Sequence, residues 1–106
     1  SMGGSQALNF GLGHLDVFSW IGSFSPAPNA QGIPQLVPHP ARTSEQLNLL
    51  WLSCGDRDSL MSLSKTIHEG LSERKVPHIW HVSSGGHTWS VWKSDLYIFI
   101  QRIFRE

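Results

Sequence analysis

Three short stretches carry the residue types that nucleophilic chemistry needs: Ser1-Met2-Gly3-Gly4, Gly55-Asp56-Arg57-Asp58 and Gly85-Gly86-His87. A carboxylate beside an imidazole fixes its tautomer and stabilises the imidazolium, while the imidazole takes a proton from a hydroxyl. His87 is the candidate base. Asp58 and Asp56 compete for the acid role, the alternative for Asp56 being to cap a helix that begins near Ser59. Gly85 and Gly86 let the chain turn sharply enough to aim His87 back over its own strand. Ser1 is the candidate nucleophile, because Ser1-Met2-Gly3-Gly4 matches the second half of a G-x-S-x-G elbow. In that elbow the serine sits on a strained turn leading into a helix, and the glycines relieve crowding around it. The backbone N–H of Met2 would be one donor to an oxyanion. The chain order is Ser, Asp, His.

The elements that must position these residues follow from apolar spacing. The small residues and helix formers before Gly11 and Gly13 predict a short helix over about 4–12. Residues 17–23 (VFSWIGS) have the length and composition of a buried strand. Pro26, Pro28, Pro34, Pro38 and Pro40 crowd residues 24–41, so a long connection without regular helix or central strand is expected there. Thr43 or Ser44 is placed to cap a helical turn through Leu47. Leu49-Leu50-Trp51-Leu52-Ser53-Cys54, stopped by Gly55, reads as a strand buried on both faces of a parallel sheet. Leu60, Leu63, Ile67 and Leu71 mark an amphipathic helix over about 59–75. His78–Val82 alternates as a strand, and Trp89, Trp92, Leu96, Phe99, Ile100 and Ile103 mark the apolar face of a last helix. Strands alternating with helices argue an α/β domain with a parallel sheet. Right-handed crossovers then bring the loops after Cys54 and Val82 to one edge, where ligands of open α/β sheets bind.

Composition narrows the function classes. The 106 residues are 40% hydrophobic and 15% charged, enough apolar content for one compact domain over 1–106. Eight basic and eight acidic side chains cancel to a net charge of zero, which offers no footprint for nucleic acid or an anionic membrane. No apolar run approaches the ~20 residues that span a bilayer, and no signal segment is read at the start. One cysteine, Cys54, excludes an internal disulfide and reads as a small buried hydrophobe. The histidines show no H-E-x-x-H or C-x-x-C spacing, so no metal site is expected.

Taken together, SMGGSQALNFGL, IGSFSPAPN, LLWLSCGDRDSL and GGHTWSVWKSDLYIF resemble the C-terminal half of the "Putative esterase" family of α/β-hydrolases. The nearest resemblance is to feruloyl esterase domains of bacterial xylanases, in carbohydrate esterase family one. It extends over nearly the whole chain and is weakest in the 30s. What the resemblance implies is the C-terminal portion of an α/β-hydrolase fold, about three parallel strands with flanking helices. It further implies Ser1 as nucleophile, Asp58 as acid and His87 as base, acting without a cofactor. The implied substrate is a hydroxycinnamoyl ester of a plant cell-wall sugar, and the implied setting, xylan degradation, is extracellular. Other ester or thioester substrates remain open: siderophore esterases, S-formylglutathione hydrolases and acyltransferases share the pattern.

Family members carry further strands upstream, including the one leading into the elbow, and a loop with a second oxyanion donor. A sheet of about three strands leaves the strand nearest Ser1 with an unpaired apolar edge. The alternative to an active esterase is therefore an inactive or split half-domain that needs a complementary N-terminal half or self-association.

The remaining aromatic residues have plainer readings. Trp89 and Trp92 stand at helical spacing and read as packing residues, although Trp89, two positions past His87, is also a candidate to border a substrate pocket. Trp20, Trp51 and Trp80 are expected in the core. His68 is expected to be solvated, and His78 and His81 to belong to a strand.

Overall fold

The computed structural model describes residues 1–103. Its order is α1 (Met2–Gly13), β1 (Trp20–Phe24), α2 (Ile33–Leu36), α3 (Pro40–Gln46), β2 (Leu49–Gly55), α4 (Met61–Glu73), β3 (Ile79–Ser83) and α5 (Trp89–Ile100). The strands form one parallel sheet in the order β1-β2-β3. Phe24 pairs with Ser53, and Gly55 with Ser83, so all three strands finish on the same side.

The central strand is the most buried element, every residue from Leu50 to Gly55 being enclosed. Alternate side chains serve different faces. Leu50 and Leu52 join Leu8 and Leu12 of α1, Leu36 of α2, Ile67 and Leu71 of α4, and Ile21 in the main core. At about 2 kcal/mol for each fully buried leucine, this face dominates the hydrophobic stabilisation. On the other face Trp51 meets Phe99 of α5 and stacks on His81. α5 lies close to the sheet because Gly22 has no side chain: a Cβ there would come within 2.7 Å of the Phe99 ring.

The spacing of α4 holds, with Ile67 and Leu71 buried and Leu63 packed against the core. Several details differ from expectation. The strand expected from residue 17 begins at Trp20, and Val17 and Phe18 stay exposed.

The proline-rich stretch contains one-turn α2, and α3 starts at Pro40 rather than being capped by Thr43 or Ser44. Both helices carry proline in their first turn, where the missing N–H has no intrahelical acceptor to lose.

On α5 the buried positions are Val91 and Asp95, whereas Trp89, Leu96 and Ile100 are exposed. Tertiary partners select that face: Asp95 accepts a hydrogen bond from Ser83 Oγ and approaches His81 Nε2 at 3.6 Å. His68 is half-buried, stacked on Trp80 and hydrogen-bonded to His78, because β3 runs beside α4. Trp51 is fully buried as expected, but Trp20 and Trp80 are only half-buried.

Candidate active site

Each candidate residue lies where a strand ends. Asp58 follows β2 and is 5% exposed, while His87 follows β3 and is half-buried. His87 Nδ1 stands 2.7 Å from Asp58 Oδ2. An ionised carboxylate only accepts, so Nδ1 carries the proton and Nε2 is left basic. Nε2 makes no hydrogen bond among the described residues.

The loops are laced so that this distance is held. Gly85 N–H donates to Asp56 Oδ1 at 2.9 Å, Arg57 N–H to the Gly85 carbonyl at 2.8 Å, and Asp56 N–H to the Ser83 carbonyl at 2.8 Å. The approach is possible only with glycine at 55, where a Cβ would lie 2.3 Å from the Gly85 carbonyl oxygen. Gly85 itself has φ +138°, a conformation open to glycine. Asp56 is thus a cross-link between the two loops. The capping contact expected of it is not made: α4 has no side-chain cap, and it is Asp58 whose Oδ1 accepts the Leu60 N–H at 2.8 Å in the turn before the helix.

Burial alone would push the Asp58 carboxyl up. The Leu60 N–H, the His87 imidazole and the neighbouring Ser25 hydroxyl outweigh that and hold it below the usual value of 3.8. Asp58 therefore stays anionic and can stabilise a positive charge that forms on His87. Cys54 is buried and its thiol is pushed up by burial, the opposite of an activated nucleophile.

Ser1 precedes α1 as its N-cap residue and is exposed. Its nitrogen donates to the Phe24 carbonyl at 3.1 Å, and its carbonyl accepts from Ala27 N–H at 3.1 Å. Behind it, buried Ser5 donates to the Ala27 carbonyl, and Ser23 Oγ donates to the Gly4 carbonyl. The close approach in this turn falls at Gly4, where a Cβ would meet the Phe24 carbonyl oxygen at 2.6 Å; Gly3 has open space. These bonds place Ser1 and the N-terminus of α1 at the strand ends that also carry Asp58 and His87. The N–H groups of the first turn, Met2 among them, have no intrahelical acceptor and point out from a positive helix end. The Ser1 hydroxyl makes no hydrogen bond to the His87–Asp58 pair among the described residues.

The expected packing role of Trp92 holds and goes further. Its indole meets the His87 ring edge-on, centroids 4.7 Å apart at 87°, and its Nε1–H donates to Ser25 Oγ at 3.1 Å. Trp89 is 69% exposed at the start of α5. Among the described residues no three His, Cys, Asp or Glu side chains converge to hold a metal ion. No helix among them is long and apolar enough to cross a membrane. An apolar groove of about 390 Å³ runs between α1 and the outer edge of β1, lined by residues including Phe10, Phe18, Trp20 and Ile21. It lies away from the Asp58–His87 pair.

Sequence reasoning missed Ser25 and the cross-linking role of Asp56. A signal for the first was available in hindsight only as a serine between an aromatic strand end and Pro26.

Comparisons with known proteins bear on the family and the fold. The sequence profile of a family described as "Putative esterase" matches residues 1–101. A solved structure of a ferulic acid esterase superposes with a TM-score of 0.80 at 26% identity, covering 99% of this chain and 50% of that one. The chain thus spans half the length of that protein, and its three-stranded layer is part of an α/β-hydrolase sheet.

Proposed function

This chain belongs to the "Putative esterase" family, and we propose from that premise that it supplies the catalytic edge of a serine esterase acting on hydroxycinnamoyl esters of cell-wall carbohydrate. The observation that carries the reading is the 2.7 Å contact between His87 Nδ1 and a buried, anionic Asp58 at the carboxyl ends of a parallel sheet. The likeness to a ferulic acid esterase supports the acyl group.

In this reaction His87 Nε2 takes the proton from Ser1 Oγ as the oxygen attacks the ester carbonyl. The carbonyl oxygen becomes an anion that the Met2 N–H stabilises at the helix end. Collapse breaks the bond to the sugar oxygen, which receives the proton from His87, and leaves the acyl group on Ser1. A water molecule then attacks the acyl carbon while His87 takes its proton, and the acid is released with Ser1 Oγ reprotonated. Trp89 borders the acyl pocket in this reading. A polysaccharide substrate of this kind sets the reaction outside the cell.

A second reading concerns completeness. β1 is an edge strand among the described residues, and an apolar groove runs along it with Met2, Phe10, Val17 and Phe18 exposed nearby. We infer that full activity needs a complementary N-terminal half, or a second copy, on that edge.

The test is labelling by a fluorophosphonate together with hydrolysis of methyl ferulate. Labelling at Ser1 and turnover, in this chain or once the complementary half is added, support the reading. Turnover that survives Ser1→Ala overturns it.

A further inference from the structure

Ser25 is the residue of the sheet edge whose conformation its position does not explain. It is fully buried, yet its φ is +48°, the left-handed region that non-glycine residues avoid. Glycine would adopt that backbone without strain, so the hydroxyl carries the interest. Three contacts surround it. Its N–H donates to the Ser53 carbonyl at 2.8 Å, which fixes the turn against β2. Its Oγ accepts the Trp92 Nε1–H at 3.1 Å. With that lone pair engaged, the hydroxyl proton is left to the two groups beside it, the Asp58 carboxylate, which it helps to keep anionic, and the buried Cys54 thiol.

Trp92 completes the arrangement from the opposite side. One part of its indole abuts the His87 ring edge-on, and its only donor group is committed to Ser25. A single rigid side chain on α5 therefore touches the base and also orients the hydroxyl beside the acid. Carboxylate, imidazole and indole are joined in series by the 2.7 Å His87–Asp58 hydrogen bond and the edge-on contact, and the Ser25 hydroxyl holds the indole at its far end. Each member limits the motion of the next. His87 cannot turn without displacing Trp92, and Trp92 cannot shift without losing Ser25.

We propose that Ser25 and Trp92 form a brace that positions the Asp58–His87 pair, with Ser25 held in a left-handed conformation so that its hydroxyl bridges Trp92 and Asp58. Both are positioning residues, since neither needs to touch substrate. The catalytic consequence rests on the esterase reading above; the brace itself does not.

Two substitutions in the whole chain test it. Ser25→Gly removes the hydroxyl while suiting the backbone, and Trp92→Phe keeps a ring against His87 while removing the donor. If Ser25 serves the backbone alone, Ser25→Gly is neutral or stabilising in thermal unfolding and changes nothing at Asp58. The brace instead predicts that the Asp58 carboxyl, followed by carbon NMR, titrates at higher pH in Ser25→Gly. It also predicts that the His87 Nδ1 proton signal broadens in both variants. In any form of the protein that turns over methyl ferulate, kcat falls about tenfold with KM unchanged. Wild-type Asp58 titration and an unchanged Nδ1 signal in Ser25→Gly overturn the brace, whatever the activity. Altered NMR signatures in a protein with no esterase turnover sustain the brace and count against the esterase reading instead.

Discussion

Two histidine pairs, one on each side of β3, have the same heavy-atom separation and opposite consequences. At the strand ends, His87 Nδ1 lies 2.7 Å from a carboxylate oxygen of Asp58. At the other end, His68 Nδ1 lies 2.7 Å from His78 Nε2, and His78 Nδ1 lies 2.8 Å from the Val76 carbonyl. The carbonyl can only accept, so His78 carries its proton on Nδ1 and offers Nε2 to the His68 N–H. An extra proton on His78 would set two donors against each other. His68 is held below its usual value of 6.5, first by burial and then by the charge His78 would carry, with Glu69 opposing. Both pairs are well-made hydrogen bonds. Only the pair with an anionic partner favours the protonated ring that general-base catalysis must form. Separation alone does not suit a histidine to general-base work; the charge of its partner does.

That contrast is tested most severely at the proposed nucleophile. Ser1→Ala is expected to lower kcat for methyl ferulate about a million-fold and abolish fluorophosphonate labelling, with the circular dichroism spectrum unchanged. If His87 serves another hydroxyl, the loss will be small. Asp58→Asn comes next, at about 10⁴-fold in kcat, because an amide leaves the imidazole in the wrong tautomer. His78→Asn in the other pair should leave kcat unaltered, and a comparable loss there would erase the distinction between the pairs.

A smaller effect is expected at Asp56→Ala. This change orphans the Gly85 N–H and frees the loops from each other, at about 1 kcal/mol in urea denaturation and a several-fold loss of kcat. The smallest effect is a pH dependence. His68 is depressed in the folded chain, so the unfolded chain binds the extra proton first. Its contribution to stability is fully present above pH 6.5 and is lost as pH falls through its lower folded value. Asp58 behaves alike in a more acid range, its contribution being present above 3.8 and lost below. Urea midpoints between pH 7 and 5 should therefore decline less in His68→Leu than in the wild type, while Asp58→Asn should flatten only the decline below pH 5.

The elements differ in how far their sequences announced them. β2 and α4 were legible because one partner surface governs each: β2 is enclosed on both faces, and α4 shows the core a stripe at helical spacing. α5 was not. Its apolar residues surround the helix, so periodicity had no face to select, and the buried Asp95 contradicts any hydrophobic count. His68 was read as solvated because nothing local reveals that Trp80 and His78 come to lie beside it. At the candidate site the same rule holds. Asp58 and His87 were found from loop motifs and family pattern, whereas Ser25 carries no motif at all.

Residue type and spacing determined that this chain is an α/β layer with apolar parallel strands, and that an acid and a histidine close consecutive strands. Those facts are local, since burial periodicity and strand-end glycines act over a few residues. Tertiary structure decided which contacts the polar groups make. It set Asp56 across the loop gap, Asp58 against His87, and Trp92 against Ser25. Such contacts join residues up to 67 positions apart, and their energies depend on distances of a few tenths of an ångström. Only packing, in which Gly55 admits the Gly85 loop and Gly22 admits Phe99, sets distances that fine.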